Sequence, residues 1–113
     1  MDCIFCQIAT GKLAAEVRYQ DAEVVAFHDI NPQAPVHLLI IPKRHIPSLA
    51  ELTEADLPLM GQLVRVANQL AAEEGLVENG YSLAVNYGKW GGQVVPHLHL
   101  HLLGGRALSG QLG

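Results

Sequence analysis

Three histidines alternate with leucine in Pro96-His97-Leu98-His99-Leu100-His101-Leu102-Leu103, so half of the chain's six histidines fall within five residues. A neutral imidazole is a nucleophile near neutral pH and also a general acid or base. The run therefore holds the side chains needed to attack a phosphorus centre. Strict alternation predicts a β-strand, with His97, His99 and His101 on one face and the leucines on the other. Same-face neighbours on a strand lie about 6.6 Å apart, which separates the outer pair by about 13 Å. A single metal ion would struggle to span all three; adjacent members can share one, or each can do a different job along a bound substrate.

If His99 attacks, His101 is placed to bind a non-bridging oxygen or to help the leaving group. Gly92, Gln93, Val94 and Asn86 are then candidates for donors to the charge that builds on phosphoryl oxygens. His97 is left for orientation, or for a metal shared with Cys3, Cys6 and His45. The Cys3-x-x-Cys6 spacing has three readings. A thioredoxin-like redox pair is disfavoured because no strand precedes it; the others are two reduced structural cysteines, or half of a tetrahedral zinc site completed by two histidines. A further reading makes the histidine run part of a catalytic metal site. Asp29, on one face with Val25 and Phe27, can bond paired hydroxyls, or simply form a turn before Asn31-Pro32.

These side chains need a frame. Cys3 to Ala9 is expected to form a short helix stopped by Gly11, with Ile4, Phe5 and Ile8 toward a core. Val17-Arg18-Tyr19 and residues 23–30 read as a β-hairpin. The continuous apolar run Val36 to Pro42 reads as a central strand covered on both faces, with His37 a hydrogen-bonded core residue. Lys43-Arg44-His45-Ile46-Pro47 then leaves as a loop. A long helix is expected between Thr53 and Gly75, capped by Thr53 or Asp56, with Pro58 in its first turn. Its apolar residues Leu59, Met60, Leu63, Val64, Val66, Ala67, Leu70 and Ala71 span roughly 160°, wider than the ~100° stripe that packs on one sheet. The surplus predicts a homodimer with this helix at or near the interface. Tyr81 to Tyr87 reads as a further strand, followed by a glycine-rich turn from Gly88 to Gln93, while Ala107 to Gly113 is expected to be weakly structured.

The 113 residues are expected to form a single domain, 1–113, and 50% hydrophobic with 16% charged residues describes an ordinary folded chain. A net charge of −4 argues against a sequence-independent grip on nucleic acid, which needs a basic patch. Met1-Asp2-Cys3-Ile4 does not read as a signal peptide, and no apolar run approaches the ~20 residues of a membrane helix. A cytoplasmic protein with reduced cysteines is expected, with no membrane partner.

The histidine run resembles the signature of the histidine triad family, three histidines alternating with apolar residues. The likeness extends over Phe27 to Pro35, Ile41 to Ile46, Gly91-Gly92-Gln93 and Leu103 to Arg106, and is similar to the Hint branch of nucleotide-binding proteins. That resemblance implies an α+β domain, a five-stranded antiparallel sheet with one long and one short helix, dimerising into a ten-stranded sheet. It implies hydrolysis of purine nucleoside phosphoramidates, AMP-amines among them, to a nucleoside monophosphate and an amine. His99 would be the nucleophile, carrying a nucleotidyl-histidine intermediate. Asp29 would hold the ribose hydroxyls, Phe5, Leu13, Phe27 and Ile30 would line the base and ribose pocket, and Asn86, Gly92, Gln93 and His101 would surround the phosphate. Cys3, Cys6, His45 and His97 match the ligand set of zinc-binding bacterial relatives, which implies structural zinc and no organic cofactor. Two departures stand out: Val94 replaces a polar residue after the Gly-Gln pair, and the tail lacks a tryptophan that some relatives place near the partner's site. Val94 gives weight to an alternative, a nucleotide-binding regulatory module with little catalysis.

Overall fold

The computed structural model describes residues 3–110. Its centre is β3, Val36–Pro42, whose apolar run is buried from His37 onward. One edge of it pairs with β2, Val24–His28, through Ala26↔Ile40 and Phe27↔Leu39. The other pairs with β5, Leu100–Gly104, through Leu39↔His101 and Ile40↔Leu100. Adding β1, Val17–Gln20, and β4, Tyr81–Ala84, gives a five-stranded antiparallel sheet in the order β1-β2-β3-β5-β4. β1 and β2 form the expected hairpin.

Because side chains alternate across a strand, the sheet has two apolar faces, and two helices of unequal size cover them. The long helix α2, Leu57–Glu73, lays Leu63, Val66, Ala67 and Leu70 onto Val24, Ala26, Leu38, Ile40, Leu100 and Leu102. The short helix α1, Ile4–Ala9, brings Phe5 against Val25, Phe27, Leu39 and Ile41 on the opposite face. Six residues cannot roof that face, and the remainder is open. Where the long helix was expected to begin at Thr53 or Asp56, both are used. The Thr53 N–H donates to Asp56 Oδ2 at 2.9 Å across a single 3₁₀ turn, Glu54–Asp56, and Asp56 then precedes α2, with Pro58 in its first turn. Arg44 pairs with the same carboxylate.

Several boundaries differ from expectation. The histidine strand begins only at Leu100. Continuing the β3–β5 register would set Pro42 opposite Leu98, and proline has no N–H to give. Instead the Leu98 N–H donates to Ile46 O at 2.6 Å. His97 and His99 therefore sit on an extended approach, yet the facial division survives, since Leu98, Leu100 and Leu102 all enter the α2 core. β4 stops at Ala84, opposite His101, three residues short of the expected Tyr87. β2 stops at His28, although the Asp29 N–H still reaches His37 O at 2.9 Å. Ile4 is 46% exposed rather than in the core, and on α2 Val64 is 38% exposed. Ala107 to Gly110 lack regular structure; the remaining tail positions 111–113, like Met1 and Asp2, lie outside the described residues. Among the described residues no helix is long and apolar enough to cross a membrane.

Candidate functional site

His99 lies where the approach segment enters β5, only 8% exposed. Its Nδ1–H donates to the carbonyl of His97 at 2.6 Å. In a neutral imidazole this fixes the proton on Nδ1 and leaves a lone pair on Nε2. No described residue bonds that Nε2, and among the described residues no buried side-chain nitrogen lacks a partner. The free nitrogen is therefore the accessible one, on the groove the ring lines. Phe5 packs edge-on against the ring at 5.1 Å between centroids, and His101 at 5.0 Å.

A second chain of hydrogen bonds orients His101. The Gln33 N–H donates to His37 Nδ1 at 3.0 Å, so neutral His37 carries its proton on Nε2. That nitrogen lies 2.9 Å from His101 Nδ1 and 3.3 Å from Asp29 Oδ2. His101 thus accepts at Nδ1 and holds its own proton on Nε2. Burial, followed by the neighbouring His99 and His37, pushes His101 down to about 4 from an ordinary 6.5. His37 is lowered too, by burial, against the opposing pull of Asp29. Both rings are neutral at pH 7. The pair then presents complementary groups: a lone pair from His99 and an N–H from His101.

The groove, about 960 Å³, runs along the sheet face that α1 leaves open. Phe5, Leu13, Phe27, Asp29, Ile30, Asn86, Gly92 and Val94 line it together with His99 and His101. Gln93 does not line it. Its side-chain Oε1 accepts from Gly88 N–H at 3.1 Å and its Nε2 donates to Pro47 O at 2.8 Å and Val95 O at 3.1 Å, while its N–H donates to Gly88 O at 3.0 Å. The donors of Gln93, which the sequence assigned to a phosphate, are spent on carbonyls of the protein instead. The glycine-rich turn requires glycine at 91, where a Cβ would stand 2.0 Å from Tyr87 O, and Asn86 Nδ2 donates to Gly91 O at 2.8 Å. Val94 is 88% and Trp90 99% exposed.

Behind the groove a second cluster forms. Cys3 Sγ lies 3.3 Å from His97 Nδ1, Cys6 Sγ 3.3 Å from His45 Nδ1 and 3.5 Å from His97 Nδ1, and the two Nδ1 atoms 3.2 Å apart. Both cysteines are free thiols. All four ligand atoms lie within 4.8 Å of one another. A zinc ion with Zn–S of about 2.3 Å and Zn–N of about 2.05 Å needs edges of about 3.3–3.8 Å between its ligands, so the donor set fits. His97 Nε2–H donates to Pro42 O at 2.8 Å, which leaves Nδ1 as the lone-pair nitrogen aimed at the thiols, the orienting bond that metal-binding histidines usually make. Burial lowers His97 and raises Cys6 from their ordinary values.

Of the three histidines, His97 stands in the Cys3–Cys6–His45 cluster and His99 and His101 line the groove. Sequence reasoning missed His37, read as a core histidine. It is buried and hydrogen-bonded, and it also joins Asp29 and His101 in a three-residue cluster. No local signal marks it, because both partners are distant in sequence.

The family described as "Scavenger mRNA decapping enzyme C-term binding" matches residues 2–112. The chain is 46% identical over 103 residues to "Protein HitA" of Neisseria gonorrhoeae, covering 91% of this chain and 95% of that protein. It is 42% identical over 111 residues to the "Purine nucleoside phosphoramidase" of Escherichia coli K12, covering 98% and 93%. Among solved structures it superposes on a HIT family hydrolase from Legionella pneumophila with TM-score 0.97 and 47% identity, covering 99% of this chain and 100% of that one. A histidine triad protein from Clostridium difficile follows at TM-score 0.96 and 40% identity, covering 99% and 97%.

Proposed function

The chain belongs to the histidine triad family, and on that premise we propose that it is a single-domain hydrolase cleaving the P–N bond of purine nucleoside phosphoramidates. The observation that carries this reading is the 2.6 Å bond from His99 Nδ1 to His97 O, which in the neutral ring leaves the Nε2 lone pair for attack. In the first step Nε2 bonds to phosphorus while the P–N bond breaks, and the departing amine takes a proton from solvent. In the second, water adds its oxygen to phosphorus and the Nε2–P bond breaks, releasing nucleoside monophosphate. His101 Nε2–H donates to a non-bridging oxygen as charge grows there, a role suited to a ring too weakly basic to be an imidazolium. Phe5, Leu13, Phe27 and Ile30 enclose the base and ribose, and Asp29, whose Oδ1 accepts from Asn31 N–H at 2.8 Å, keeps acceptor capacity for ribose hydroxyls. Asn86, Gly92 and Val94 border the phosphate and leaving group.

Cys3, Cys6, His45 and His97 would hold a structural zinc ion, which as a closed four-ligand site ties α1 to the loop after β3. A homodimer is supported by the outer edge of β4, which among the described residues has only β5 as neighbour, and by the exposed Leu57 and Val64 on α2; joining two such edges would give ten strands. Mixing protein with an AMP-amine, quenching rapidly and weighing the protein tests the mechanism. The expected mass gain is one nucleotidyl group on His99, absent in His99→Ala, which should still bind AMP. Full turnover by His99→Ala would overturn it; AMP binding with no mass gain and no turnover in the wild type would favour a regulatory nucleotide-binding module, the reading to which Val94 gives weight.

A further inference from the structure

His97 belongs to both centres at once. Its ring offers Nδ1 to Cys3, Cys6 and His45, and its carbonyl takes the His99 proton at 2.6 Å. Phe5 is a second connection. It stands between the two cysteines on α1, whose first turn is closed by the Cys6 N–H donating to Cys3 Sγ at 3.4 Å. Its ring packs edge-on against both His97, at 5.9 Å, and His99, at 5.1 Å. The Cys-x-x-Cys segment thus reaches the proposed nucleophile through a hydrogen bond and through an aromatic contact.

We propose that a metal ion held by Cys3, Cys6, His45 and His97 fixes the orientation of the His99 ring, so that metal occupancy sets the rate of the chemical step as well as the stability of the fold. The inference rests on His99 as the nucleophile. Two imidazole Nδ1 atoms 3.2 Å apart cannot both present lone pairs to one another unless a cation lies between them. Removing the cation leaves one ring to turn or to shift its proton between its two nitrogens, a rearrangement that for His97 would break the Nε2–H bond to Pro42 O. The His97 ring is fully buried, so its adjustment moves the backbone that carries its carbonyl. His97 is in this sense a positioning residue for His99. A purely structural site would make no such demand, since a nucleophile held by its own strand would be indifferent to the ion.

The test compares zinc-loaded protein, chelator-stripped protein and Cys6→Ser, each at a temperature where circular dichroism shows it folded. Three quantities are read: AMP affinity by calorimetry, the single-turnover rate of nucleotidyl-histidine formation, and the ring ¹⁵N shifts of His99. Stripping and Cys6→Ser are expected to slow formation about 10–100-fold, the range that loss of an orienting partner gives, with AMP affinity little changed. The His99 ring signals should move or broaden. Exchanging zinc for cadmium, a larger ion on the same ligands, should shift those signals without removing any side chain, and serves if Cys6→Ser does not fold. Unchanged His99 signals and an unchanged rate in metal-free, folded protein would overturn the proposal. Should the loaded wild type form no covalent nucleotide while the His99 signals still follow the metal, the coupling stands and the hydrolase reading falls.

Discussion

His37 Nε2 lies 2.9 Å from His101 Nδ1 across 64 residues of sequence, and the Gln33 N–H on its other nitrogen decides which way the proton points. Replacing His37 with Ala removes the donor that keeps the His101 proton on Nε2. The expected result is a fall in kcat of about 10–100-fold with KM little changed, because the lost interaction orients a group that acts in the transition state. His37→Gln, which can still donate, should recover part of it. Steady-state kinetics on an AMP-amine check both.

Val94 puts a branched hydrocarbon on the groove wall, 88% exposed. Val94→Ser supplies a hydroxyl at the border of the leaving group. One added hydrogen bond of about 1 kcal/mol corresponds to roughly fivefold, so kcat/KM is expected to rise several-fold, without loss of thermal stability since the side chain is solvated. Turnover of the same substrate by both proteins reads the change.

The buried histidines set a pH limit on the fold. His101 is near 4 in the native chain against an ordinary 6.5, and His37 and His97 are also lowered. Between those values the unfolded chain binds more protons than the native one, so stability rises with pH there. Melting temperature should accordingly drop as pH falls from about 6.5 toward 4, and level off above 7 as far as these groups are concerned. A series of thermal melts across that range, on protein whose metal content is held constant, measures the slope.

Leu70 is wholly buried between α2 and the sheet. Leu70→Ala is expected to destabilise the chain by about 2–5 kcal/mol and to leave turnover per folded molecule unchanged, because the α2 core lies on the far side of the sheet from His99. Denaturant unfolding together with active-site titration separates the two effects.

What the chain shows before folding follows from the range of the forces involved. Val36 to Pro42 was legible to the residue, because a strand buried on both faces needs an unbroken apolar run. The face shared by the leucines was equally plain. The strand's start was not, since it depends on Pro42 meeting the approach to β5 and on Ile46 O capturing the Leu98 N–H, both long-range events. Gln93 reads from the sequence as a phosphate ligand, yet its amide is consumed by Gly88, Pro47 and Val95; a glutamine beside two glycines gives no sign of which carbonyls will surround it. The spacing of the histidine run left open a shared metal or separate jobs, while the place of His37 beside Asp29 and His101 depends on contacts distant in sequence.

The acceptor that holds His99 is a peptide oxygen, and every amino acid at position 97 would bring one. Exchanging the side chain there removes one of the four candidate metal ligands but cannot delete the oxygen, so scanning mutagenesis is blind to its grip on the neighbouring ring. Separating those two duties takes chemistry on the main chain itself, such as an ester in place of the amide that carries that oxygen, which weakens the acceptor and spares all four candidate ligands while giving up the Leu98 N–H bond to Ile46 O.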